Sequence, residues 1–361
     1  MPILDFLLGR PLSSREEQGQ RIAVLAGIAI FGLDALSSAA YGPEAALTVM
    51  RPLGALGNQY LVPISLSIIA LLTIVFFSYR QTIAAYPGGG GSYTVARENL
   101  GSSAGLLAGS ALMIDYILNV AVGISAGVGA LVSAAPSLQP HTLLLCLGIL
   151  AAITLINLRG LREAGLVFMA PTYLFVGSLL LAIGIGIFKT LAAGGHPTPV
   201  VQPPAFPPQI AAVGWWLLLK AFASGCAAMT GVEAVSNGVT AFREPVVQAA
   251  QRTLGIIIAI LIALLGGIAW LGRAYHIAAT DPGSPGYQSM LSQLLGSIAG
   301  RGAFYYVTIS SVVLVLVFSA NTSFSGFPGS AASSRRPVTF QLRSARAGGA
   351  WSIPRASLCW R

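Results

Sequence analysis

Charge is what this chain has least of. Only 9% of its 361 residues are Asp, Glu, Lys or Arg, while 55% are hydrophobic. Soluble domains carry roughly 25% charged residues, so the scarcity excludes an ordinary soluble fold and points to a bilayer. The net charge of +9 does not restore a nucleic-acid reading. The arginines sit in short loops between apolar blocks, not along a basic stripe, and no nucleic-acid partner is expected.

Other chemistries are also missing. Cys146, Cys226 and Cys359 have neither metal-ligand nor disulfide-framework spacing. His141, His196 and His276 fall near the outer ends of apolar blocks, no two at ligand spacing, and read as solvated surface residues. No cofactor and no dedicated metal are expected. The first 20 residues are polar and include Glu16 and Glu17, unlike a cleavable signal peptide. The "PGGGG" run Pro87–Gly91 lacks the Lys-Ser/Thr and the preceding strand of a phosphate-binding loop. It reads as a flexible turn, a candidate gate hinge. Serine, histidine and aspartate form no triad, so an enzyme is not expected.

What is present is apolar sequence in long blocks, and a helix needs roughly 20 such residues to cross the hydrocarbon core. Eight spans are expected at about 22–47, 60–84, 103–134, 141–158, 164–188, 213–240, 253–272 and 303–325. Residues 1–21 form an N-terminus, 22–188 hold spans 1 to 5, 189–212 a proline-rich connector, 213–325 spans 6 to 8, and 326–361 an arginine-rich tail. With the N-terminus inside, Arg10, Arg15, Arg21, Arg80, Arg97, Arg159, Arg162, Arg243 and Arg252 lie on the cytoplasmic side. Arg51, Lys189, Lys220, Arg273 and Arg301 lie outside or at its interface. The asymmetry favours this orientation.

Three of the 11 acidic residues, Asp34, Asp115 and Glu233, fall well inside spans. A charge at the bilayer centre costs at least about 2.5–3.5 kcal/mol on insertion scales. No basic residue lies equally deep, Lys220 aside. Three such acids favour a cation pathway or proton relay over a structural role. Each has polar company at helical spacing: Asp34 with Tyr41, seven apart, Asp115 with Asn119, and Thr230, Glu233 and Asn237 at i, i+3 and i+7. Gly42-Pro43 breaks span 1, and span 6 is loosened at Gly231. "AAYGPEAALT" (Ala39–Thr48) echoes "AAMTGVEAVSN" (Ala227–Asn237), pairing Tyr41 with Thr230 and Glu44 with Glu233. The echo falls on spans 1 and 6, as an inverted repeat of five helices requires.

The stretches "DALSSAAYGPEA", "YPGGGGSYTVARENLG", "DYILNVAVGISAGVGAL", "INLRGLREAG", "MTGVEAVSNGVTAFREP" and "FSANTSFSGFP" resemble the amino acid–polyamine–organocation (APC) superfamily of permeases. The likeness is greatest to its bacterial branch of KimA-type potassium–proton symporters. It implies an all-α integral membrane protein with the LeuT-like 5+5 inverted repeat, of which about eight helices are present here. It implies ion-binding groups at Asp34, Tyr41, Asp115, Tyr116, Thr230 and Glu233, to which the spacing adds Asn119. It implies a multi-pass protein of a bacterial inner membrane, moving a small cation, potassium with protons, and leaves room for a homodimer. An amino acid–cation symporter is the alternative substrate class, and a non-transporting receptor or scaffold a second. The third span carries fewer hydroxyls than the potassium branch, which sets potassium itself in question. After Pro328 the likeness is expected to end. Gly329–Arg361 has six Arg and no acid, which suits a shifted reading frame and a chain short of two helices, with weak or no transport of its own.

Overall fold

The structure is a computed structural model that describes residues 21–158, 164–284 and 286–335. The expected N-terminus 1–20, the loop arginines Arg159 and Arg162, and the tail from residue 336 lie outside the described residues. Everything described is helix or connector. The one β contact is an isolated parallel bridge between Ile22 and Phe242.

Span 1 is α1 (Val24–Phe31), α2 (Leu33–Ser38) and α3 (Gly42–Val49). Span 2 is α4 (Ala55–Ala85). A short helix α5 (Ser92–Leu100) precedes span 3, α6 (Ser102–Ala134). Spans 4 and 5 are α7 (Thr142–Leu158) and α8 (Ala164–Ala192). Span 6 opens with α9 (Trp215–Gly225) and resumes, after an irregular stretch, with α10 (Ala234–Asn237). Span 7 is α11 (Val246–Ala274), then α12 (Met290–Ala299), then span 8, α13 (Ala303–Arg335). Six of these helices are long and apolar enough to cross a membrane, and span 1 makes a seventh as a bent pair. The eighth expected crossing, span 6, is carried by short pieces on either side of a break.

The span ends sort into two sets. On one face Ile22 N donates to the Ala241 carbonyl (2.9 Å) and Gln251 Nε2 to the Arg80 carbonyl (2.9 Å). On the other, Arg51 pairs with Asp281 (2.6 Å), Ile210 N donates to the Pro52 carbonyl (2.9 Å) and Val200 N to the Ser297 carbonyl (2.8 Å). These are the sets that alternate crossing of eight spans produces. The proline-rich stretch of the connector is thus tied down at Val200 and at Ile210.

The most extensive pairings between spans join 3 with 8, 2 with 7 and 1 with 6. Each partner is five spans on, the relation an inverted five-helix repeat imposes. Glycines make the closest approach achievable: a Cβ at Gly123 would stand 3.0 Å from Ser319 Oγ and 3.1 Å from the Leu316 carbonyl. Without a hydrophobic force between helices in lipid, such small-residue contacts are the main packing device.

Three elements differ from expectation. Helices α5 and α12 replace what reads as loop. Residues Met290–Ile298 of α12 are buried throughout, so this segment is internal to the protein although it lies between two spans. And α13 continues to Arg335, past the expected end of span 8 at residue 325.

Candidate functional site

Both breaks meet at the centre. Span 1 bends by 54° between Val24–Phe31 and Leu33–Val49, and a second irregularity follows at residues 39–41. There Ala39, Ala40 and Tyr41 donate to carbonyls only three residues back, at 2.9–3.3 Å. The sequence placed the break at Gly42-Pro43, and the structure corrects this. Pro43 sits in the first turn of α3, where its missing N–H forfeits no intrahelical bond. Gly42 faces the Ala228 backbone at 2.9 Å from where a Cβ would stand, so it serves close contact between the broken spans. In span 6 the chain runs through a short 3-10 turn at Cys226–Met229 and an extended Thr230, then reverses at Gly231 with φ +76°. A side chain is disfavoured there twice over: by the left-handed conformation, and because a Cβ would lie 2.6 Å from Asp34.

Asp34 is 5% exposed. Its Oδ2 accepts from Asn119 Nδ2 of span 3 at 2.7 Å, and the same amide reaches Ser323 Oγ of span 8 at 3.2 Å. Asn119 Oδ1 accepts, at 3.5 Å, from the Tyr41 hydroxyl, which also lies 3.0 Å from Thr230 Oγ1. Spans 1 and 8 thus meet at Asn119 of span 3, and span 6 joins through Tyr41. Tyr41 and Thr230, paired by the sequence echo, touch each other, as residues beside an inverted two-fold axis do. Asp34 Oδ1 is buried with no hydrogen-bond partner among the described residues. An open pocket of about 340 Å³ adjoins the cluster, lined by Tyr41, Asp115, Asn119 and Thr230 among others.

Glu233 belongs to a second cluster. Its Oε2 accepts from Ser92 Oγ at 3.2 Å and its Oε1 from the Tyr116 hydroxyl at 3.4 Å, and the Tyr79 hydroxyl adjoins both Ser92 and Glu233. This overturns the expected single stripe of Thr230, Glu233 and Asn237. The i, i+3, i+7 spacing shares a face only on a continuous helix, and the turn at Gly231 sends Thr230 to one cluster and Glu233 to the other. Asn237 lies instead against the glycine-rich turn, whose Gly90 N donates to the Ser236 carbonyl at 3.2 Å.

Asp115 joins neither network. It is exposed, at the pocket mouth, with no hydrogen bond among the described residues. Glu44 is committed elsewhere: its Oε1 accepts from the Tyr287 hydroxyl at 2.7 Å and its Oε2 from Met290 N at 3.1 Å, at the start of α12. Ser38 ties the two breaks together, donating to the Ala228 carbonyl at 2.6 Å. Reading the sequence missed Ser92, Tyr79 and Ser323. Of these only Ser323 carried a signal, since Ser319, Thr322 and Ser323 put hydroxyls at i, i+3 and i+4 in an apolar span.

No basic residue answers the three membrane acids. The ion pairs among the described residues are Arg21–Glu244 and Arg51–Asp281, both at span ends. The Asp115 carboxylate, the Tyr41 and Thr230 side chains and the Asn119 amide line that pocket, with the Asp34 carboxylate hydrogen-bonded to Asn119, an oxygen set suited to a monovalent cation, whose hydration shell such groups replace.

Comparisons with known proteins identify the family. A family model described as amino acid permease matches residues 24–334. The protein named potassium transporter KimA, from Bacillus subtilis (strain 168), is 41% identical over 354 residues. That match covers 96% of this chain, and the chain spans 56% of that relative's length. Coverage of 96% is more than residues 1–328 can supply. The likeness therefore runs into the arginine-rich segment, beyond the point where the sequence alone placed its end.

Proposed function

The chain belongs to the amino acid permease family, and on that premise we propose that it serves import of a small cation, potassium coupled to protons, by alternating access. One observation carries the reading: Asp34, with an unpaired buried oxygen, faces Tyr41, Asn119 and Thr230 at two helix breaks with no basic residue in the cluster. A cation supplies the missing positive charge. The relative's printed name, a potassium transporter, supports the choice of ion. Glu233 is the proton carrier in this proposal: it is apart from the cluster yet on the same broken span, surrounded by hydroxyls that can relay a proton. The N-terminus is cytoplasmic, in a bacterial inner membrane.

The family's description keeps an amino acid in view as the substrate, and the break in span 1 argues against it. A substrate carboxylate is usually held by free N–H groups at such a break. Here the amides of Ala39, Ala40 and Tyr41 are all engaged by nearby carbonyls, and the carboxylate of Asp34 would repel the substrate's own.

Uptake into proteoliposomes tests the proposal. An outside-acid pH gradient should drive accumulation of radioactive rubidium, used as a potassium tracer, and potassium should compete. Amino acids should neither enter nor compete. Amino acid uptake without rubidium uptake establishes the alternative substrate class, and absence of any counterflow points to a receptor or scaffold.

A further inference from the structure

We propose a second ligand site, for an oxyanion of the phosphate class, on the face that carries the Arg51–Asp281 pair. It is a pocket of about 660 Å³ between the first turn of α4 and the ends of α8 and α11. Arg273, His196 and His276 line it together with Asn58 and Gln59, and no Asp or Glu does. The sequence separates the two histidines by 80 positions and gave no reason to connect them. The fold brings the connector after span 5 against the end of span 7.

Four observations make this a built site. First, the 31-residue α4 begins here with no side-chain cap, and Ala55 of its first turn lines the pocket. Uncapped N–H groups and the helix dipole favour an anion. Second, Asn58 of α4 is 4% exposed, and its Oδ1 has no hydrogen-bond partner among the described residues. A buried acceptor left unpaired is costly, and a ligand hydroxyl that reached it would relieve that cost.

Third, the basic side chains are not spent on the helix ends beside them. The last carbonyls of α8 are met by the backbone amides of Ala193, Gly194 and Gly195, and those of α11 by Tyr275, His276 and Ile277. Arg273 and His196 make no side-chain hydrogen bond among the described residues, and the His276 ring only meets Phe206 edge-on at 6.4 Å. Fourth, His276 has φ +54°. That left-handed position after a helix normally falls to glycine, and a side chain held there is strained. An imidazole serving the pocket gives that strain a purpose.

The shared chemistry fits two sources: free phosphate, or the phosphate of a hydroxyl-bearing anionic lipid headgroup such as phosphatidylglycerol. The full chain in nanodiscs separates them. Calorimetric titration with inorganic phosphate, in phosphatidylcholine discs, should show saturable binding if the anion is soluble. Native mass spectrometry with mixed lipids should show preferential retention of phosphatidylglycerol if it is a headgroup. In either arm Arg273→Gln should weaken binding about tenfold or more, the scale of a lost charge-assisted hydrogen bond. His276→Gly should also weaken it while leaving the melting temperature equal or higher, since glycine relieves the strained backbone. Neither ligand binding to the wild type, or both variants binding like it, overturns the proposal. Under a purely structural role for these residues, His276→Gly changes stability and nothing else.

Discussion

Glu44 and Glu233 occupy equivalent places, each three residues beyond the aligned Tyr41 or Thr230 in the two halves of the internal echo. Each opens the helix that resumes after a break. Each accepts from a tyrosine hydroxyl, and the second partner is what differs. Glu44 is held by a tyrosine hydroxyl and by the first amide of α12, an arrangement that fixes a carboxylate at a helix N-terminus and is stabilising. Glu233 meets the side-chain hydroxyls of Ser92 and Tyr116 beside a glycine-rich turn. The same local sequence therefore yields an anchor held by a backbone amide on one face and, on the other, a carboxylate held by side-chain hydroxyls, the proton carrier of the proposal. The difference is made by what the rest of the chain delivers: a helix end in one case, side-chain hydroxyls in the other.

Substitutions can break that contrast. The largest effect should come from the common centre. Asp34→Asn keeps the shape and the bond to Asn119 but removes the charge, and should lower cation affinity about 10- to 100-fold, the scale of a hydrogen bond to a charged group, measured as the rubidium half-saturation constant. Gly231→Ala should be as severe through folding. The left-handed backbone costs roughly 1–2 kcal/mol and crowding against Asp34 about 1–3 kcal/mol more, visible as a drop in melting temperature and in uptake. Next comes Glu233→Gln. Uptake driven by a pH gradient should be lost while exchange of bound cation, which needs no net proton movement, persists. Loss of both would place Glu233 in the cation site itself. Glu44→Gln should do the reverse: about 1–2 kcal/mol of stability lost with its charged hydrogen bonds, measured by thermal unfolding in detergent, with the half-saturation constant unchanged. An altered cation affinity there would erase the distinction between anchor and site.

The spans and the three acids were legible in the sequence for a physical reason. The bilayer forces long apolar runs and makes every buried carboxylate conspicuous. The convergence of Asp34, Tyr41, Asn119 and Thr230 was also legible, because helical spacing and the echo constrain it. What spacing could not give was the split of Thr230 from Glu233. It depends on one positive φ at Gly231, and a rule of helical periodicity assumes that no such residue intervenes. The partner Ser92 is equally invisible from local pattern, since it comes from a helix that touches the site only through the fold, whereas Ser323 stood in a row of hydroxyls whose target the spacing could not name. Helix α12 escaped for the same reason: at ten residues it is too short to be read as a span, and its burial is supplied by spans distant in sequence.

The smallest effect belongs to the outer ion pair, which sharpens the comparison from outside the membrane. Arg51 donates to Asp281 at 2.6 Å, and both side chains are close to half exposed. Hydrogen bonds from Arg51 and from Gly283 N hold the Asp281 carboxyl below its usual range. A carboxyl whose folded value is depressed contributes stability that is fully present above its unfolded value and is lost as pH falls through the folded one. Solvent screening keeps exposed pairs weak. Acid titration of the melting temperature should therefore show a shallow decline below the usual aspartate range, and Arg51→Gln should remove that part of the decline while leaving the neutral-pH value nearly unchanged. If Arg51→Gln instead lowers stability as far as Glu44→Gln, the pair acts with Glu44 as a joint clasp between span 1 and the segment carrying α12. The anchor half of the comparison would then include the surface as well as the buried carboxylate.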